Sequence, residues 1–310
     1  MKHLVALILL LPICFGLKKS DPIAPLPPDR PTLSLTFDDG VTNDMPGYSF
    51  ETWNAMLLKN LSDAHLKAVF FVTGSNKTDE KGRFLLESWN AAGHRIGNHT
   101  YTHPSYNNAK ITFEDFEQEF LRTDSIISRY SHYIKLFRFP YLKEGNTAEK
   151  IALFRALLQE HDYANGHVTI DASDWAIDSR LRKKLKENPS ADLEPFKQFY
   201  LEHLYERAMY YEKLAYDLTG RHIHHTLLLH HNLAAALFAD DLIAMFRAKG
   251  WAIEDAEAAF KDEIFQSIPA NVPAGESLIW ALAKQTGQYT LRYPAEDETY
   301  ERARMDALGL

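Results

Sequence analysis

Short apolar runs recur along the chain, separated by longer stretches in which apolar and polar positions mix with a helical period. The runs at 33–37, 68–72, 94–97, 136–139, 167–170 and 226–230 read as strands, and helical patterns fill most of the intervals. No series of consecutive hairpins interrupts this rhythm, so the alternation predicts an α/β fold with a parallel sheet or barrel. Residues 178–221 depart from it. Leu and Tyr recur there at 3.6-residue spacing among many charges, and the pattern stops at Gly220, which predicts a helical insertion packed over the sheet.

Two further segments bound the domain. Residues 21–31, "DPIAPLPPDRP", are too proline-dense to pair in a central sheet and read as an extended lead-in. A C-terminal extension from about 262 to 310 mixes a short helix with charges that read as a solvated face, and it is uninformative about function. Between them, residues 32–310 read as one catalytic domain.

Composition narrows the function. Hydrophobic residues make up 45% of the 310 and charged residues 25%, the balance of an ordinary folded protein. A net charge of −8 supplies no basic field for nucleic acid or anionic lipid, so neither is expected as a partner. Residues 1–20 place Lys2 before an apolar run that is too short to span a bilayer, the pattern of an export signal, which predicts a periplasmic or secreted protein. The single cysteine, Cys14, falls inside that segment, so disulfides and cysteine-bound zinc are not expected in the mature chain.

The candidate chemistry sits where strands end. "TFDDG" sets Asp38 and Asp39 side by side at the end of the first apolar run; alone, these residues would read as a turn. "HTYTH" places His99 and His103 four apart after another strand, a spacing at which two imidazoles can share one metal. No Glu lies between them, which disfavours a zincin protease and requires a carboxylate from elsewhere. In a parallel α/β barrel all strand C-termini meet at one rim, so an Asp/His/His metal site is physically reasonable. The second aspartate could then stay unligated and move protons. "FRFPY" adds Arg138 and Tyr141, "IDASDW" adds Asp171, Asp174 and Trp175, and "LLLHHN" adds His230 and His231. Strand alternation allows only one of the last pair on the functional face and leaves open which of them it is. His222, His224 and His225 are expected at the surface.

Taken in order, TFDDG, HTYTH, RFPY, DASDW and LLLH make the chain resemble the polysaccharide deacetylase family, the NodB-homology carbohydrate esterases, from about Pro31 to about Asp255. The resemblance implies a distorted (β/α)7-type barrel that hydrolyses acetyl groups from a carbohydrate, usually N-acetyl and sometimes O-acetyl. It implies Asp39, His99 and His103 as ligands of a divalent ion, zinc first and cobalt as an alternative. Asp38 would be the base, held ionised by Arg138, and the Tyr141 main-chain N–H would meet the oxyanion. His230 would protonate the leaving group, Asp174 would pair with His230 or Arg138, and Trp175 would wall the pocket for the acetyl methyl. An esterase or small-molecule amidase using the same chemistry, and a carbohydrate-binding protein without turnover, are the alternatives.

Overall fold

The computed structural model describes residues 27–287, 289–292, 298 and 301–310. The export-signal pattern, Cys14 and most of the proline-rich lead-in lie outside the described residues. The chain runs β1 (Thr32–Asp39), α1 (Phe50–Asp63), β2 (Val69–Val72), α2 (Glu80–Ala91), β3 (Arg95–Asn98), α3 (Phe113–Ile127), β4 (Tyr133–Phe137), β5 (Lys143–Gly145), α4 (Ala148–Glu160) and β6 (Ala164–Asn165). It continues through α5 (Asp174–Glu187), α6 (Glu194–Thr219), β7 (His224–His230), α7 (Leu233–Ala248), β8 (Ala252–Ile253), α8 (Ala256–Ala259), β9 (Ala274–Gly275), α9 (Leu278–Thr286) and α10 (Arg302–Leu308).

The main sheet is parallel throughout, in the order β6-β4-β3-β2-β1-β7 with β8 beside the start of β1. It curls into a half-barrel with helices packed outside, the α/β class expected from the alternation. Both faces are covered, so the central strands are apolar almost without a break: VFFV of β2 is wholly buried, as is TLSLTFD of β1. Local chemistry starts the helices. Ser49, Asp79 and Asn232 each cap a helix through the side chain, and Thr112 with Asp115 forms a reciprocal capping box at α3. The larger core fills the space between β1, β2, β7 and helices α1, α2, α6 and α7, while a second, aromatic core of Tyr106, Phe116, Phe120, Phe137, Phe139 and Phe154 sits under α3 and α4.

Three expectations change. The run 167–170 is not a regular strand: Ile170 forms a single bridge to Leu227, and Thr169 uses its hydroxyl as well as its main chain on Thr226. This segment leaves β6 on the edge of β4 and reaches the edge of β7 within a few residues, too quickly for a ladder to form. His225 is fully buried, because Glu212 of α6 accepts from His222 Nδ1 at 2.5 Å and from His225 Nε2 at 2.9 Å and brings the helix down over the start of β7. The C-terminal extension is not merely a solvated face, since Glu301 is buried among His203, Arg207 and Ser173.

Candidate active site

Strand register assembles the site. Asp38 pairs with His230 across β1 and β7, Asp39 with Val72, Val72 with Asn98, and Asn98 with Phe137. The residues at or just beyond those positions, Asp38, Asp39, His99, Arg138 and His230, therefore meet at the rim formed by the strand C-termini, where open parallel sheets place their ligands. Asp38, Asp39, His99, His103, Tyr141, Asp171, Trp175 and His230 line a cavity of about 270 Å³, with Leu142, Ala172 and Leu228 supplying apolar wall.

The adjacent aspartates differ in environment. Asp38 ends the regular strand, is 3% exposed, and accepts a 2.8 Å hydrogen bond on Oδ1 from Arg138 Nη1. Burial raises its carboxyl to about pKa 6 and outweighs the Arg138 charge that opposes the rise. Arg138 thus lowers the Asp38 pKa without holding it at the ordinary value. For Asp39, burial also favours the neutral form, but His230, His103, His99 and Lys77 together hold it below the usual carboxylate range. Asp39 adopts a left-handed φ of 79°, and this turn at the end of β1 lets both carboxylates face one cavity, each with an oxygen 3.7 Å from His99 Nε2.

His99 and His103 lie on a loop, not on the helical face that their spacing suggests. Thr100 and His103 both have positive φ (66° and 63°), and this curl brings the two rings to 4.8 Å. Asn98 and Glu119 fix the loop. The Asn98 side chain accepts from Thr100 N and donates to Phe120 O, while Glu119 of α3 accepts from Tyr101 N and the Thr102 hydroxyl at 2.9 Å. His99 Nδ1 lies 2.8 Å from the Arg138 carbonyl, which can only accept, so Nδ1 carries the proton and Nε2 keeps its lone pair. Burial lowers both histidines to about pKa 4 and keeps them neutral near pH 7.

These donors fit a metal ion. Among the described residues, Asp39, His99 and His103 offer ligand atoms that all lie within 4.8 Å of one another. Asp39 Oδ1 stands 3.7 Å from His99 Nε2 and 3.6 Å from His103 Nε2, too far for hydrogen bonds. Two tetrahedral ligands at about 2.0–2.2 Å from zinc would stand roughly 3.4 Å apart, close to that spacing.

Beside Asp38 at the end of β7, His230 Nδ1 is 2.7 Å from Asp174 Oδ1, and its main-chain N–H donates to Asp174 Oδ2 at 2.8 Å. Asn232 Nδ2 donates to the same oxygen at 3.1 Å. Burial disfavours the imidazolium, but the Asp174 charge and hydrogen bond overcome it and raise His230 to about pKa 10. Asp174 is thus the partner of His230, and Arg138 turns elsewhere, toward Asp38, Thr36 Oγ1 and Gly166 O, with its guanidinium 4.0 Å over the Phe71 ring. His231 turns away from the cavity, where its ring lies 4.3 Å from that of Trp53 at a 46° tilt and bonds Asn54. Tyr141 has a left-handed φ of 56° and sets its ring 4.5 Å from that of His103. Asp171 lines the cavity, and Trp175 stands at its edge, shared with a neighbouring groove.

Several contributors escaped sequence reasoning. Thr36, Asn98 and Asn232 lie inside or beside the quoted motifs, so their polar character at a strand end was an available signal. Glu119 and Gly166 act from other elements and leave no local pattern. Lys77, 3% exposed and lowered to about pKa 8 by burial, adds a cation near Asp39 that no motif announces.

Comparison with known proteins agrees with this geometry. Residues 26–157 match the family described as polysaccharide deacetylase. A peptidoglycan-N-acetylglucosamine deacetylase of Bacillus cereus is 34% identical over 116 residues, covering 37% of this chain and 38% of that protein. Chitin deacetylase 1 of Cryptococcus neoformans is 27% identical over 155 residues, covering 48% and 30%. The chain thus spans well under half the length of these curated relatives. A solved peptidoglycan N-acetylglucosamine deacetylase superposes with a TM-score of 0.52 at 20% identity, over 76% of this chain and 91% of the other, and shows the same fold. The match to the polysaccharide deacetylase family covers residues 26–157, the part of the chain that carries Asp38, Asp39, His99, His103, Arg138 and Tyr141.

Proposed function

We propose that this chain is a metal-dependent hydrolase that removes acetyl groups from a carbohydrate, with the N-acetyl groups of an amino-sugar polymer or oligomer as its substrates. The observation that carries this reading is the content of one cavity: a three-donor metal site, a buried carboxylate and a protonated imidazole line it together. The relatives named for peptidoglycan N-acetylglucosamine and for chitin support an acetylated amino sugar. The signal-like pattern of residues 1–20 supports action outside the cytoplasm.

A divalent ion held by Asp39, His99 and His103, zinc by the nature of the donors, would supply Lewis-acid polarisation of the acyl oxygen and of the attacking water. Asp38, oriented by Arg138 and ionised above about pH 6, takes the proton from that water. Tyr141, in a left-handed turn on the cavity wall, meets the oxyanion with its main-chain N–H in this reading. As the C–N bond breaks, His230 gives its proton to the departing amine, and Asp174 holds the ring in the tautomer that presents Nε2 to the cavity. Leu142, Ala172, Leu228 and the edge of Trp175 enclose the acetyl methyl.

Acetate release from a panel of N- and O-acetylated glycans, with metal-reconstituted wild type and Asp38→Asn, tests the reading. The variant should bind metal normally and lose roughly 10²–10⁴-fold in rate. Equal rates would remove Asp38 as the base, activity that survives a chelator would remove the metal, and no acetate from any substrate would favour a binding protein.

A further inference from the structure

The helical insertion and the C-terminal extension meet behind the acid side of the site. Ser173 immediately precedes Asp174 and occupies the N-cap position of α5, where a serine hydroxyl ordinarily bonds the first turn of the helix. It makes no such cap. Its hydroxyl donates instead to Glu301 Oε2 at 3.2 Å, across 128 residues of sequence, and its main-chain N–H donates to His203 Nε2 at 3.0 Å. His203 comes from α6, and Glu301 directly precedes α10.

The tautomer follows from these bonds. Because Nε2 of His203 accepts, its proton is on Nδ1, 3.4 Å from Glu301 Oε1. Burial, with Arg207 beside it, holds His203 well below its ordinary pKa and so neutral. Arg207 and Arg292 approach the same Glu301 oxygen at 3.6 and 3.5 Å. Glu301 and His203 are each 1% exposed and Arg207 is fully buried. Burying a carboxylate and a guanidinium costs several kcal/mol per ion unless both are well paired, so apolar packing would be the cheaper way to attach a terminal helix.

We propose that Glu301, together with His203, is a positioning residue for the reaction: by holding both the hydroxyl and the N–H of Ser173 it fixes Asp174, and through Asp174 the ring of His230. The C-terminal extension would then complete the acid side of the site without touching substrate. This rests on the deacetylase reading, in which His230 is the acid.

The test combines kinetics with an NMR signature that needs no turnover. Glu301→Ala should lower kcat by about 10- to 100-fold at unchanged KM, the scale expected for a small misplacement of a catalytic group. It should also shift or broaden the His230 Nδ1–H resonance, which reports the bond to Asp174. Glu301→Gln keeps an acceptor for Ser173 and should retain most of the rate. Ser173→Ala should reproduce the loss, and the double variant should lose no more than either single one. An unchanged kcat and resonance in a folded Glu301→Ala protein, or additive losses in the double variant, overturn the proposal. Should Glu301→Ala fail to fold, Ser173→Ala decides by the same two readouts. If the wild type releases no acetate, the deacetylase reading fails, and the resonance alone still decides whether Glu301 sets the His230–Asp174 pair.

Discussion

At the scale of single residues, Arg138 links the two halves of the chemistry. Its guanidinium orients Asp38 and its carbonyl sets the tautomer of His99, so one residue disciplines both the proposed base and a candidate metal ligand. It is seated by Phe71, whose ring is flanked by Gly97 and Gly166. A Cβ on Gly166 would come within 2.5 Å of Phe71 ring atoms, and the Gly166 carbonyl also accepts from Arg138 Nε. Gly166→Ala should therefore cost about 1–3 kcal/mol in urea unfolding and lower acetate release as well, because Phe71 cannot shift without moving the guanidinium. The motif residues were legible because strand ends converge by topology, and five short clusters in order named nearly every group that lines the cavity. Residues such as Gly166, Glu119 and Glu301 were not, because their partners lie on other elements and their own neighbours in sequence give no pattern.

At the scale of elements, the N-terminus of α7 joins helix formation to the site. Asn232 caps α7 by accepting from Ala235 N at 2.8 Å, and its amide donates to Asp174. Asn232→Ala should lose about 0.5–2 kcal/mol of stability, the usual worth of a cap, measured by chemical denaturation. The same variant should reduce kcat, since Asp174 loses one of the donors that hold it against His230; Asn232→Ser, which restores a capping oxygen without the amide donor or a second negative charge, should recover the stability alone. The helical character of 178–221 was legible in its Leu and Tyr spacing. Its effect on β7 was not, because Glu212 reads as an ordinary exposed helix residue until His222 and His225 are brought beneath it. The strand expected at 167–170 failed for a related reason: an apolar run records burial, but the partner strand decides whether a ladder can form.

For the whole molecule, buried neutral histidines set the acid limit. His94 is lowered to about pKa 4 and His231 to about 3, both by burial, and His94 Nδ1 accepts from Ala68 N, which protonation would forbid. In the unfolded chain these groups titrate near 6.5. Between that value and about 4 the unfolded state binds protons that the folded state refuses, so stability falls as pH is lowered. His230 works in the opposite sense: its pKa of about 10 gives a contribution fully present below 6.5 and lost as pH rises through 10. Urea midpoints of the metal-free protein should accordingly drop from pH 7.5 to pH 4.5, and a flat profile across that range would show that the histidines are not held neutral. Burial at this density was not visible in the count of 14 histidines, because exposed and buried imidazoles look alike in sequence.

The passage of residues 164–170 from the edge of β4 to the edge of β7 also bears on association between molecules. An open parallel sheet offers two rows of unpaired amides and carbonyls, each a template for a strand from another chain. Here one stretch of backbone covers part of both, so the guard on each edge is lost or kept together. A lesion that frees this stretch would uncover both templates at once on one side of the molecule, so a single event would offer two neighbouring edges to an incoming strand.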